Sequence, residues 1–222
     1  MLFAAVSLSA QDYAGLLDKV VKFYGYQRAG LKTGTSGNLN GMNAHGGDNY
    51  NSHPLDGGWY DAGDFIKFGM PLGYSVYCLL KGYDIFPSQY TDLYKADNSA
   101  GADNIPDILN QCKYATDYLI KAVIDENTII RDVGAAQAEH DAKWSDIPNS
   151  GGRSGGQVFV CTGADIPAVY SADLALMSVL YKKYDAAYAS QCSTKAVVAF
   201  KFAKRKIDQR RKQPLLRFTG RQ

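Results

Sequence analysis

Apolar residues return at helical spacing along most of this chain. Tyr13, Leu16, Leu17, Val20 and Tyr24 fall on one helical face, and so do Leu72, Val76, Leu79, Leu80 and Tyr83. A third set is Ile108, Cys112, Ala115, Leu119 and Ala122, introduced by Asn104 and Pro106. A fourth is Ile166, Tyr170, Leu174, Met177 and Tyr181, opened by Asp165 and Pro167, and a fifth helix is expected over 185–203. Strand alternation is scarce, with candidates only at Thr128–Ile130 and Gln157–Val160, so the chain reads as mainly α. Two stretches lack any period: Ala29 to Gly58, with eight Gly and five Asn, and Ser145 to Gly156. Irregular connections of that length inside a domain are usually functional or disordered, and the first leads directly into Asp61.

Candidate chemistry sits just past that loop, in Gly57-Gly58-Trp59-Tyr60-Asp61-Ala62-Gly63-Asp64, followed by Lys67-Phe68-Gly69. Two carboxylates separated only by Ala and Gly can share a tight turn. Converged carboxylates can hold and deprotonate a water, and aromatic faces suit the C–H faces of a sugar ring. An inverting glycosidase needs that arrangement on its base side. Other readings stand beside it. Asp61 and Asp64 can simply cap backbone groups in an Asx turn, or belong to a calcium loop, although the stretch lacks the alternating ligands of an EF-hand.

The motif resembles the signature of glycoside hydrolase family 9, the endoglucanase (cellulase) family. The likeness continues in Phe23-Tyr24-Gly25-Tyr26-Gln27-Arg28-Ala29-Gly30, in Lys67-Phe68-Gly69-Met70-Pro71 and in Tyr114 to Lys121. It also covers Val133-Gly134 with His140-Asp141 and Trp144, and Gly163-Ala164-Asp165-Ile166-Pro167-Ala168. Matches in this order over residues 13–203 are far more specific than any single motif. The resemblance implies the N-terminal half of a catalytic domain, a partial (α/α)6 six-hairpin barrel truncated after about five or six helices. Such a part leaves inward-facing apolar stripes without partners. The implied function is hydrolysis of β-1,4-glucosidic bonds in cellulose or related β-glucans, with inversion.

By the same resemblance Asp64 is the catalytic base and Asp61 its helper. His140 and Trp144 are substrate-binding residues, with a structural role open for His140. Trp59 and Tyr60 either shape the cleft or pack beneath the loop. No general acid can be assigned: the only glutamates, Glu126 and Glu139, match no acid position. The family's proton-donating Glu and its calcium-binding segment have no counterpart in this sequence, so no metal or other cofactor is expected. An inactive carbohydrate-binding fragment is therefore the alternative. One departure is Asn43-Ala44-His45-Gly46-Gly47-Asp48, where relatives carry a Trp-Arg-Gly-Asp-like stretch.

Composition changes the picture in three places. Residues 1–10 are a short apolar run that reads as the remnant of a secretory signal, or else as a helix turn packed on the fold, so a secreted or extracellular protein is expected, with periplasm open. Cys78, Cys112, Cys161 and Cys192 permit disulfides in such a chain. Cys78 and Cys112 fall on apolar stripes, however, where buried free thiols are equally expected. Charge divides the chain: residues 1–203 carry 16 basic against 21 acidic side chains, whereas 204–222 carry eight basic against Asp208 alone. We read 11–203 as the family region and 204–222 as a basic tail foreign to it, the product of a frameshift or mispredicted gene end, with an arm for an anionic polymer as the other reading. The expected partner is a β-1,4-glucan, with no nucleic acid and no membrane.

Overall fold

A computed structural model describes residues 12–30, 44–141 and 151–212. Helix α1 is Tyr13–Tyr26, started by Asp12, whose Oδ1 accepts from the Gly15 amide at 2.9 Å. A two-strand hairpin follows, β1 Asn49–Tyr50 and β2 His53–Pro54. Strand β3 (Lys67–Phe68) leads straight into α2 (Gly69–Ile85). Then come α3 (Asp107–Ala122), β4 (Ile130–Val133), the short α4 (Ala136–Asp141), β5 (Val158–Val160), α5 (Asp165–Leu180) and α6 (Ala186–Lys212). Strands β3, β4 and β5 form an antiparallel sheet in that order, with Lys67 opposite Val133 and Val133 opposite Val158. The chain is mainly helical, as its periodicity predicts.

The apolar stripes find one another. Ile108, Cys112, Ala115, Leu119 and Ala122 of α3 are fully buried, as are Val76 and Leu80 of α2 and Tyr170, Leu174 and Met177 of α5. Helix α3 is covered on nearly every side, because Leu109, Gln111, Thr116 and Tyr118 are buried as well. Each large apolar side chain removed from water this way contributes about 1.5–3 kcal/mol. Helices α5 and α6 form a hairpin through the turn at 181–185, and α6 buries Tyr188, Cys192, Ala196, Ala199 and Phe202.

Helix α1 behaves differently. Its periodic face is largely open, with Tyr13 72%, Leu16 55% and Val20 46% exposed, and only Val21 and Gly25 buried. A stripe left uncovered in this way is what a partial barrel predicts.

Several local expectations need correction. Cys78 is exposed, because it lies about 200° round α2 from buried Val76; Cys112 is buried, and all four cysteines are free thiols. Strand β4 begins at Ile130 rather than Thr128. The two-residue strands β1, β2 and β3 escape sequence reading because so short a pairing carries no alternation. Helix α5 does open at Asp165, with Ala164 before it making no side-chain capping bond. Helix α6 crosses position 203 unbroken to Lys212, with Lys201 paired to Glu126 at 2.8 Å and Lys204 to Asp208 at 3.3 Å. The proposed signal remnant at 1–10, residues 31–43, Trp144 and positions 213–222 lie outside the described residues. Among the described residues no helix is long and apolar enough to cross a membrane.

Candidate active site

The Gly57–Asp64 segment is laid against the end of α1 and the side of α3. Backbone bonds from Ala29 N to Gly58 O (2.9 Å) and from Tyr60 N to Gln27 O (2.8 Å) tie it to the chain leaving α1. Arg28 is buried there, donating to Gln111 Oε1 of α3 and to Ala96 O, with its guanidinium 4.4 Å from the Tyr114 ring centre. Gly58 has φ +81°, and a Cβ at this position would sit 2.9 Å from the Tyr118 ring, so only glycine lets the segment lie this close to α3.

Gly63, at φ +80°, turns the backbone between the two aspartates. The loop closes when Asp61 N donates to Ile66 O at 2.9 Å. Asp64 Oδ1 accepts the Ile66 amide at 2.8 Å, so the Asx-turn geometry is real. It occupies one oxygen and leaves the other: Asp64 Oδ2 faces His140 Nε2 of α4 at 3.9 Å. The Asp64 side chain is 3% exposed, whereas His140 is 59% exposed. His140, itself open to solvent, is thus the side chain that this second oxygen faces.

Asp61 is half-buried and lines a cleft of about 390 Å³. Phe23, Tyr24, Trp59, Tyr60 and Phe68 give this cleft an aromatic wall, with Gln27 and Ser75 as polar points. Asp64 is not part of that wall. Trp59 and Tyr60 reach the cleft from below, since both are almost fully buried. Trp59 packs on Tyr24 with ring centres 4.6 Å apart, and its Nε1 has no hydrogen-bond partner among the described residues. Tyr60 Oη lies 2.8 Å from His45 Nδ1, and burial raises its phenol pKa. Burial, reinforced by Arg153, lowers His45 to about 4 and keeps it neutral.

Beneath the turn lies a charged group that sequence reasoning missed. Asp48 accepts from Lys67 Nζ at 2.8 Å and from Arg153 through Nη2 at 2.8 Å, Nε at 3.0 Å and the backbone amide at 2.8 Å. Burial pushes the Asp48 carboxyl up, but the two cations outweigh it and hold it at about 2. Burial lowers Lys67 to about 8 against the pull of Asp48. For Arg153 burial is outweighed by Asp48 and Glu139, and its pKa rises. A signal for this group existed. Asp48 is the lone acid between Ala29 and Leu55, and Arg153 the lone charge between Asp146 and Asp165. Isolated charges in glycine-rich loops are candidates for pairing with each other.

Both glutamates are engaged elsewhere. Glu139 is buried against Arg153 at 3.2 Å, and Glu126 is exposed beside Lys201. Among the described residues no cluster of His, Cys, Asp and Glu is arranged to hold a metal.

The profile of Glycosyl hydrolase family 9 matches residues 13–217. The chain belongs to that family. Endoglucanase 4 of Bacillus sp. (strain KSM-522) is 34% identical over 202 residues, which are 88% of this chain and 30% of that protein. A C. cellulolyticum cellulase in complex with cellobiose superposes with a TM-score of 0.73 at 28% identity, covering 88% of this chain and 44% of that one. The endoglucanase of the termite Nasutitermes takasagoensis gives 0.68 at 29% identity, covering 89% and 44%. The fold is thus part of the family 9 (α/α)6 barrel, and the chain spans less than half the length of these relatives.

Proposed function

We propose that this chain carries the base side of an endo-β-1,4-glucanase site that hydrolyses cellulose or a related β-glucan with inversion. Asp64 takes the proton of the attacking water, and Asp61 helps to hold that water. The single observation that supports this most is the split use of Asp64. One oxygen is fixed by the Ile66 amide, and the other is left facing His140. A base needs this combination of fixed orientation and a free lone pair. The aromatic cleft beside Asp61 suits a glucosyl ring, and the cellobiose held by the C. cellulolyticum enzyme is a ligand of the same class. His140 and Trp144 complete the sugar contacts in this proposal, which uses no cofactor and places the protein outside the cell.

The engaged glutamates favour a second reading, a domain that holds glucan without cleaving it. Leaving-group protonation typically contributes about 10²–10⁴-fold in rate. The chain alone is therefore expected to turn over carboxymethylcellulose poorly while still binding cellotetraose. In a ¹⁵N NMR titration, cellotetraose should shift Asp61, Ala62, Gly63 and His140 and leave α6 unmoved. Robust turnover of carboxymethylcellulose that survives Asp64→Ala would overturn the assignment, as would shifts confined to regions away from the turn.

A further inference from the structure

Arg153 touches neither the aromatic cleft nor an aspartate of the motif. Yet one of its nitrogens, Nη1, donates both to Phe65 O and to Glu139 Oε1. Phe65 follows Asp64 and Glu139 precedes His140. One guanidinium nitrogen therefore grips the chain neighbour of each member of the Asp64–His140 pair.

The rest of the group fixes that nitrogen. Asp48 takes Nε and Nη2 side by side, the two-point geometry that defines the plane of a guanidinium. Lys67 shares the same carboxylate and reaches back to Leu55 O and Gly57 O, joining the start of β3 to the entry of the motif. The Lys67 ammonium lies 4.7 Å from the Tyr118 ring centre, against α3. Segment 55–67 is therefore closed at its base by Lys67 and held at Phe65, near its far end, by Arg153. All four charged side chains are at most 7% exposed. An ionic group this deeply buried contributes little net stability compared with apolar packing, so a gain in specificity of geometry is the better account of it.

We infer that Arg153 is a positioning residue, oriented by Asp48 and backed by Lys67, that sets His140 against Asp64 by holding the residue next to each. The inference deepens the glucan-hydrolysis reading and rests on it for its functional weight. The geometry it describes stands whether or not sugar binds.

The test uses the full chain and does not depend on hydrolysis. Asp48→Asn keeps the shape and removes the charge. In this variant, amide exchange at Asp61 and Ile66, whose N–H groups close the turn, should accelerate at least tenfold. The buried amides of α3 should stay within about twofold. The Lys67 ammonium, which titrates near 8 in the native chain, should move well below that value, an effect that a purely steric role for Asp48 would not produce. Arg153→Lys retains a cation without the fork and should loosen the same two amides by a smaller factor, which keeps the test readable if Asp48→Asn does not fold. Equal acceleration in the turn and in α3, or unchanged exchange at Asp61 and Ile66, would overturn the inference. Loosened amides together with absent cellotetraose shifts would leave the positioning role standing and remove the glucan reading instead.

Discussion

Two aspartates are buried in this molecule to nearly the same degree and behave in opposite ways. Asp48, under the motif turn, is 1% exposed and held near 2 by Lys67 and Arg153. Asp173, on α5 where it packs on α2, is fully buried, and burial drives its carboxyl up to about 9. Among the described residues neither Asp173 oxygen has a hydrogen-bond partner, and a Cβ on Gly73 would stand 3.1 Å from Oδ2. Burial alone therefore does not set the charge of an interior acid. Partners do, and they are found in the loop layer near the site rather than in the helix interface. The helix layer is built from apolar stripes that need only shape. The loop layer also buries Leu55, Trp59, Tyr60, Phe65 and Ile66, but its buried charges Asp48, Lys67 and Arg153 are paired within it.

The comparison can be broken from either side. Asp48→Ala should have the largest effect, since it leaves buried Lys67 without a carboxylate and buried Arg153 with Glu139 alone. A loss of about 3–5 kcal/mol is expected, read as a lower urea midpoint with the slope unchanged. A loss below about 1 kcal/mol would mean that the charged group is dispensable.

Asp173→Asn should act in the opposite direction. A folded-state pKa above the unfolded one means that the native chain holds the extra proton between about pH 4 and 9. Stability from this group is complete below about pH 4 and is lost as pH rises toward 9. Asp48 has the reverse sign, its contribution being present above about pH 4 and lost as pH falls toward 2. Asp173→Asn should therefore be more stabilising at pH 8 than at pH 5, by on the order of 4 kcal/mol. Thermal melts at the two pH values check this, and an unchanged pH dependence would contradict it. Asp173 is felt by buried Cys112 of α3 and Tyr170 of α5, so their titrations should shift in the same variant.

The smallest effect is expected outside both buried regions. Leu16→Lys and Val20→Lys lie on the open face of α1 and should change stability by no more than about 0.5 kcal/mol. They should reduce self-association measured by sedimentation, because that face offers an uncovered apolar stripe.

The helices were legible because burial and periodicity agree. Leu72, Val76, Leu80 and Tyr83 are both the stripe of α2 and its buried face. Helix α1 is the instructive exception, with a stripe as regular as the others and largely in water. Periodicity reports what a face is built to meet, not whether the described residues meet it. The turn at Asp61–Asp64 was legible from its small spacers, and Gly63 supplies the positive φ that they suggested. The supporting charges were not, because Asp48, Lys67 and Arg153 come from three segments that only the fold brings together. Asp48 and Arg153 stand out as isolated charges, but which charge meets which has no local spacing to read.

The central claim is that Asp64 acts as a base on the water side of a glycosidic bond. The most direct test is 2,4-dinitrophenyl β-cellobioside, whose leaving group departs without protonation and so needs no general acid. The account predicts dinitrophenolate release by the native chain well above that of Asp64→Ala, with the α-anomer of cellobiose as the first product seen by NMR. Equal rates for the native chain and Asp64→Ala, or the β-anomer appearing first, would contradict it.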